Sequence, residues 1–182
     1  MQPIFLIGYM GCGKSTLGRA VSALTGMRFI DLDSYIESRY GMAITEIFSA
    51  YGEDGFRQRE HEMLVEVSSF SDVLVACGGG TPCFGDNIGL MNRCGLTVFL
   101  EAGVDRLHRR LMQGRHKRPL IAGMDSAQLL SFIRESLKKR EPFYSQAGMR
   151  FKSDLLDCEA DKETTARRFI NEVIENCNLY RK

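Results

Sequence analysis

Apolar residues fall along this chain in two alternating patterns. Short unbroken runs occupy residues 4–7, 29–30, 73–77, 96–100 and 149–152, the last of them weak. Runs so short and continuous read as strands buried on both faces of a parallel sheet. Between them, apolar positions recur at helical spacing over residues 14–25, 33–39, 45–51, 55–69, 86–93, 104–112, 126–140 and 161–176. The alternation predicts an α/β fold, a five-stranded parallel sheet with helices on both faces. Such sheets hold their ligands beyond the C-terminal ends of the strands. No repeat or low-complexity segment interrupts the pattern, and 182 residues suit a single domain with a sizeable core. The stretches 45–51 and 55–69 fall together between two strands and read as a helical insertion, a separate wall for a cleft.

The first strand ends in chemistry. Gly8-Tyr9-Met10-Gly11-Cys12-Gly13-Lys14-Ser15 fits G-x-x-x-x-G-K-[ST], the phosphate-binding loop. It stands between a strand and a helix whose apolar face is expected at Leu17, Ala20, Val21 and Leu24. Its glycines let the backbone curl so that N–H groups point at phosphate oxygens, and the helix N-terminus adds partial positive charge. In this motif Lys14 reaches the β- and γ-phosphates and the Ser15 hydroxyl faces Mg²⁺. The chain therefore reads as a binder of nucleoside triphosphates.

Charge and cysteine content narrow the partners. Lys plus Arg number 24 and Asp plus Glu 23, a net charge of +1 that suggests neither nucleic acid nor a membrane surface as a partner. No apolar run approaches the ~20 residues of a membrane span. The first strand starts at residue 4, which leaves no room for a signal peptide, so a cytoplasmic location is expected. The six cysteines, at 12, 77, 83, 94, 158 and 177, form no metal-binding spacing and read as free thiols. Cys12, inside the phosphate loop, is either a reactive thiol or simply a small side chain.

Five further stretches bear on a second site. Phe29-Ile30-Asp31-Leu32-Asp33 puts two carboxylates past a strand end, pointing the same way if the chain stays extended. One can support Mg²⁺ through water and the other can accept a proton, while N-capping by Asp33 is the rival reading. Arg57 and Glu60 are three apart on a helix face, as a surface ion pair or as an arginine fork held for a carboxylate. Gly78-Gly79-Gly80 closes a strand with more glycine than a plain turn needs, which favours a ligand-contacting loop. Residues 113–124 are glycine-flanked and basic, with Arg115, Lys117 and Arg118 close together, and read as a lid facing an anion. Arg140, by itself, is part of a basic helix end that Pro142 should terminate or bend.

Taken together, the chain resembles the shikimate kinase family. The likeness rests on six ordered segments, G-Y-M-G-C-G-K-S-T, F-I-D-L-D, F-R-Q-R-E, G-G-G-T-P, R-P-L and R-E-P-F-Y, spanning Gly8 to Tyr144. It implies a fold like that of the nucleoside monophosphate kinases, with strand order 2-3-1-4-5. A substrate-binding helical region is implied at about 33–62, with the lid at about 113–124. It implies transfer of the γ-phosphoryl of ATP to the 3-hydroxyl of shikimate, with Mg²⁺ as cofactor and a monomeric enzyme. By matching position, Gly11, Cys12, Gly13, Lys14, Ser15, Thr16, Arg110 and Arg118 are implied at ATP. Arg110 would lie on the adenine and Arg118 would reach the phosphates. Asp33, Arg57, Gly79 and Arg140 are implied at shikimate, with Lys14, Asp33 and Arg118 catalytic. Glu60 would orient Arg57, Phe48 and Phe56 would wall the pocket, and Ser15 would ligate Mg²⁺ with Asp31 behind a water.

The chain departs from the family pattern in three places. Cys77 stands where Ser or Thr is common, Phe143 stands where Leu is common, and residues 158–162 match no adenine-loop pattern. Two rivals remain at this stage, a gluconate-type small-molecule kinase and a non-catalytic nucleotide sensor. The G-D-x-x-H-P segment usual in gluconate kinases is replaced by Asp31-Leu32-Asp33-Ser34-Tyr35, and no guanine-reading N-K-x-D occurs.

Overall fold

The computed structural model describes residues 1–115 and 118–176. Lys117 and Cys177 lie outside the described residues. The elements run β1 (Ile4–Ile7), α1 (Lys14–Thr25), β2 (Arg28–Asp31), α2 (Leu32–Tyr40), α3 (Ile44–Ser68) and β3 (Val73–Ala76). They continue with α4 (Asn87–Cys94), β4 (Leu96–Glu101), α5 (Val104–Gly114), α6 (Ser126–Tyr144), β5 (Met149–Lys152) and α7 (Glu159–Phe169). Short 3₁₀ turns cover Thr81–Cys83 and Pro119–Ile121, and the last described turns, Ile170–Glu175, are π-helical.

The sheet is parallel throughout, in the order β2-β3-β1-β4-β5. β1 lies at its centre with all four residues fully buried, which is why its sequence is an unbroken apolar run. β5 lies at an edge and alternates buried Phe151 with exposed Arg150 and Lys152, which is why its apolar pattern is weak. The order sets β2, β3 and β1 side by side. Their C-terminal ends therefore bring Asp31, the three glycines and the phosphate loop to one edge of the sheet.

Several local expectations change. The helical insertion is not among them: its two stretches stand as two helical segments of α3 that meet at a kink at Gly52, whose φ of 69° and ψ of −172° are non-helical. In α1 the inward face passes through Leu17, Gly18 and Val21, and Leu24 is 42% exposed. Pro142 does not end α6, which continues to Tyr144. A proline there removes a helical hydrogen bond and costs ~3 kcal/mol. Burial offsets it, because Tyr144 is fully enclosed, packs on Phe99 at 5.0 Å, and donates its hydroxyl to the Gly79 carbonyl at 2.6 Å.

Gly18 shows packing overriding helix propensity. A methyl group on it would stand 2.3 Å from the Phe29 ring. Alanine would gain about 1 kcal/mol of helix propensity, whereas overpacking a closed contact costs about 1–3 kcal/mol. Gly18→Ala is expected to lower the melting temperature, as thermal unfolding would read. An unchanged or raised value would show that Phe29 moves aside freely.

Candidate active site

The phosphate loop is built on backbone that other residues rarely adopt. Gly8, Gly11 and Gly13 have φ of 140°, 82° and 102°. Gly8 is doubly required, because a side chain there would stand 2.7 Å from the Leu100 carbonyl of the neighbouring strand. Lys14 Nζ donates to the Gly8 and Tyr9 carbonyls at 2.8 and 3.1 Å, which holds the ammonium against the mouth of the loop. Cys12 is buried, and its carbonyl accepts a hydrogen bond from Ser153 Oγ at 2.8 Å. Its thiol is enclosed, with Lys14 Nζ 3.8 Å from the sulfur.

Asp31 and Asp33 do not share an extended strand. β2 ends at Asp31, and helix α2 begins at Leu32. Asp31, not Asp33, occupies the N-cap position, and its side chain caps nothing. It accepts instead from Ser15 Oγ at 2.7 Å. Asp33 lies in the first turn of α2, and both carboxylates line the same cleft. Asp33 reaches solvent through the mouth of that cleft. Crowding still withdraws its carboxylate from bulk water, and Asp31 and Glu60 repel its charge, so its pKa rises to about 6 despite Lys14 nearby.

The cleft has a volume of about 550 Å³. Gly11, Gly13, Lys14, Ser15 and Thr16 form its floor, and Arg110 and Arg118 also line it. Arg118 Nη1 donates to the Gly114 carbonyl at 3.1 Å. Arg110 is fastened by Asp157 Oδ1 at 2.8 Å and the Asp154 carbonyl at 2.7 Å. Hydrogen bonds from Arg110 and Arg106 lower the Asp157 pKa. Leu156, Asp157 and Lys162 complete this wall, and sequence reading missed them. The Arg110–Asp157 pair spans 47 residues and carries no local spacing signal.

Gly78, Gly79 and Gly80 separate this cleft from a second group of side chains. None of the three has positive φ. A side chain here would have to displace the ends of neighbouring side chains, a limit of space and not of backbone conformation. A methyl on Gly78 would stand 3.1 Å from Asp33 Oδ1 and 3.2 Å from Glu60 Oε1. One on Gly79 would stand 3.0 Å from Arg140 Nη1, and one on Gly80 would stand 2.8 Å from Arg57 Nη2. Asp33, Glu60, Arg140 and Arg57 thus lie directly on the three glycines.

Arg57 and Glu60 are not a surface pair. Arg57 Nη1 donates to Glu60 Oε2 at 2.7 Å, with Glu60 1% exposed. The Arg57 guanidinium lies 3.8 Å from the centre of the Phe84 ring and 5.1 Å from that of Phe56. Phe56 in turn stacks on Phe48 at 4.4 Å. Arg140 lies 5.4 Å over the ring of Tyr9, a phosphate-loop residue. The Cys77 thiol is enclosed, 3.7 Å from Met91 Sδ, and burial raises its pKa. Its sulfur faces a methionine of the core.

A complete phosphate loop on the central strand of a 2-3-1-4-5 parallel sheet, beside a cleft with arginines and carboxylates, defines a P-loop kinase fold. Residues 10–177 match the family model described as shikimate kinase. A shikimate kinase of Phocaeicola vulgatus is 51% identical over 157 residues, 86% of this chain and 90% of that protein. The crystal structure of the shikimate kinase of Bacteroides thetaiotaomicron superposes with a TM-score of 0.91 at 45% identity, over 96% of this chain and 98% of the other. That of Acinetobacter baumannii, in complex with shikimate, superposes with a TM-score of 0.82 at 30% identity, over 97% and 94%. The chain belongs to the shikimate kinase family.

The raised Asp33 pKa makes a stability statement. Between pH 3.8, the ordinary value, and about 6, the folded protein keeps a proton that the unfolded chain has lost. Ionisation of Asp33 therefore costs stability as pH rises through this window, and the cost is complete above it. Solvent access through the cleft reduces the cost to about 1 kcal/mol. Asp33→Asn is expected to melt about 2–4 °C above the unsubstituted protein at pH 8, with the gap closing below pH 4. Equal melting temperatures at pH 8 would contradict the raised pKa.

Proposed function

We propose that this protein transfers the γ-phosphoryl of ATP to the 3-hydroxyl of shikimate, giving shikimate 3-phosphate and ADP. The product leads toward chorismate and the aromatic amino acids. The observation that carries the reading is the pairing of two sites across one glycine turn. On one side is a phosphate loop, and on the other an arginine locked to a buried glutamate, with Asp33 beside the turn. Family membership and the likeness to a shikimate-bound relative support it.

In this reading Arg57 and Arg140 bind the acceptor carboxylate from either side of the turn. Gly79 lets the acceptor approach the backbone. Asp33 holds the ring hydroxyls and takes the proton from the attacking one, and a carboxylate titrating near 6 suits that task near neutral pH. Phe48 and Phe56 wall the pocket. Gly11, Cys12, Gly13 and Thr16 cradle the phosphates of ATP, and Arg110 lies on the adenine. Lys14 and Arg118 stabilise charge on the transferring group. The region 33–62 supplies the acceptor site, and 113–124 acts as the lid that excludes water. The protein works as a cytoplasmic monomer.

The Ser15 hydroxyl and the Asp31 carboxylate, 2.7 Å apart at the loop, are hard oxygen donors that suit Mg²⁺. Ser15 would hold the ion directly and Asp31 through water. Bound there, Mg²⁺ supplies charge neutralisation along the phosphates.

Two substitutions test the reading through shikimate-dependent ADP release. Arg118→Ala is expected to lower kcat by about 100-fold or more, as for other arginines that stabilise phosphoryl transfer. A kcat within a few-fold of normal would remove Arg118 from the reaction. Arg57→Lys keeps a cation beside Glu60 but loses the fork. It is expected to raise the KM for shikimate about tenfold and leave the KM for ATP unchanged. An unchanged shikimate KM would separate Arg57 from the acceptor.

A further inference from the structure

The segment after the three glycines has no part in the reading above, yet it surrounds Arg57. Thr81 is fully buried, and its Oγ1 donates to Glu60 Oε1 at 2.6 Å. The other oxygen of the same carboxylate, Oε2, accepts from Arg57 Nη1 at 2.7 Å. Phe84 supplies the ring 3.8 Å from the guanidinium. Asn87 is 1% exposed, and its Nδ2 donates to the Thr81 carbonyl at 2.9 Å. Its Oδ1 lies 2.7 Å from His61 Nδ1, and since the Asn87 amide nitrogen already donates to Thr81, the imidazole is the donor. His61 sits on α3, one residue beyond Glu60, so the chain of bonds returns to the helix it started from.

We infer that Thr81 is a positioning residue for recognition of the acceptor carboxylate, acting through Glu60 on Arg57. Phe84 and Asn87 complete the block that holds it. The inference rests on the reading that Arg57 binds that carboxylate. A carboxylate taken out of water needs partners on both oxygens. Arg57 satisfies one, and Thr81 is the partner seen on the other. Without the Thr81 hydroxyl, Glu60 turns to share both oxygens with Arg57, and the guanidinium turns with it. Little else fixes that guanidinium by hydrogen bonding. Its Nε is buried with no partner among the described residues, and Nη2 meets exposed Glu53 at 3.5 Å, the limit of a hydrogen bond. The orientation that leaves Arg57 presented to a ligand is set by Glu60, and that of Glu60 by Thr81.

Thr81→Val replaces the hydroxyl by a methyl group of similar size. Steady-state kinetics should show the shikimate KM raised about tenfold, the scale of one hydrogen bond to a charged group. The ATP KM and kcat should stay within about twofold. Calorimetric titration of shikimate without nucleotide should show the same loss of affinity, and Thr81→Ser should restore both. A lower melting temperature accompanies either role, because a buried Glu60 oxygen loses its partner; a purely structural role would instead disturb the KM values for both substrates together, and that outcome overturns the inference. So does an unchanged shikimate KM in Thr81→Val while Arg57→Lys raises it. If Arg57→Lys itself leaves the shikimate KM unchanged, the underlying reading of Arg57 fails and this inference with it. Should Thr81→Val not fold, Thr81→Ala is judged by the same outcomes.

Discussion

A carboxylate enclosed in protein has to be matched on every side, and Glu60 sets that condition for the side chains around Arg57. It is 1% exposed, with Arg57 on one oxygen and Thr81 on the other. Removing one partner of a buried ion pair costs about 3–5 kcal/mol, because the remaining charge is stranded. Arg57 therefore cannot swing freely as a surface arginine would. The same negative charge reaches Asp33 and helps raise its pKa to about 6. One buried group thus positions a cation and tunes a carboxylate.

The glycine turn after β3 is the second constraint, and it depends on the sheet order. β3 lies between β2 and β1, so the turn leaves the sheet between Asp31 and the phosphate loop. Asp33, Arg140 and Arg57 each approach a different glycine to within about a hydrogen-bond length of where a methyl would be. Tyr144 ties the turn to α6, and Arg140 of the same helix lies over Tyr9 of the phosphate loop. The Arg57–Glu60 group and the phosphate-loop cleft are thereby packed against the same few backbone atoms. That is the proximity phosphoryl transfer requires, where positioning and charge supply most of the catalysis.

The sheet and the phosphate loop were legible because their signals are local. Four buried apolar residues, then a complete glycine motif, then a helical repeat, read the same in sequence and in space. Strand order came with the family resemblance. Other features depend on contacts that spacing does not encode. Arg57 and Glu60 have the spacing of a surface pair, and only the packing of Thr81, Asn87 and Phe84 makes it a buried one. Asp33 reads as a cap until the helix is seen to start one residue before it. Pro142 reads as a stop until the burial of Tyr144 is set against it. The Leu156–Asp157 wall meets Gly13 and Arg110 from far along the chain, so neither end carries a signal.

The central claim is that a phosphate loop and a carboxylate-reading arginine serve one acceptor. The most direct test is ADP release from Mg²⁺·ATP with shikimate, gluconate, AMP or no acceptor added. The account predicts a rise with shikimate alone. A rise with gluconate or AMP instead would keep the kinase fold and discard the acceptor site described here. No rise with any acceptor, with ATP still bound, would contradict the kinase reading itself.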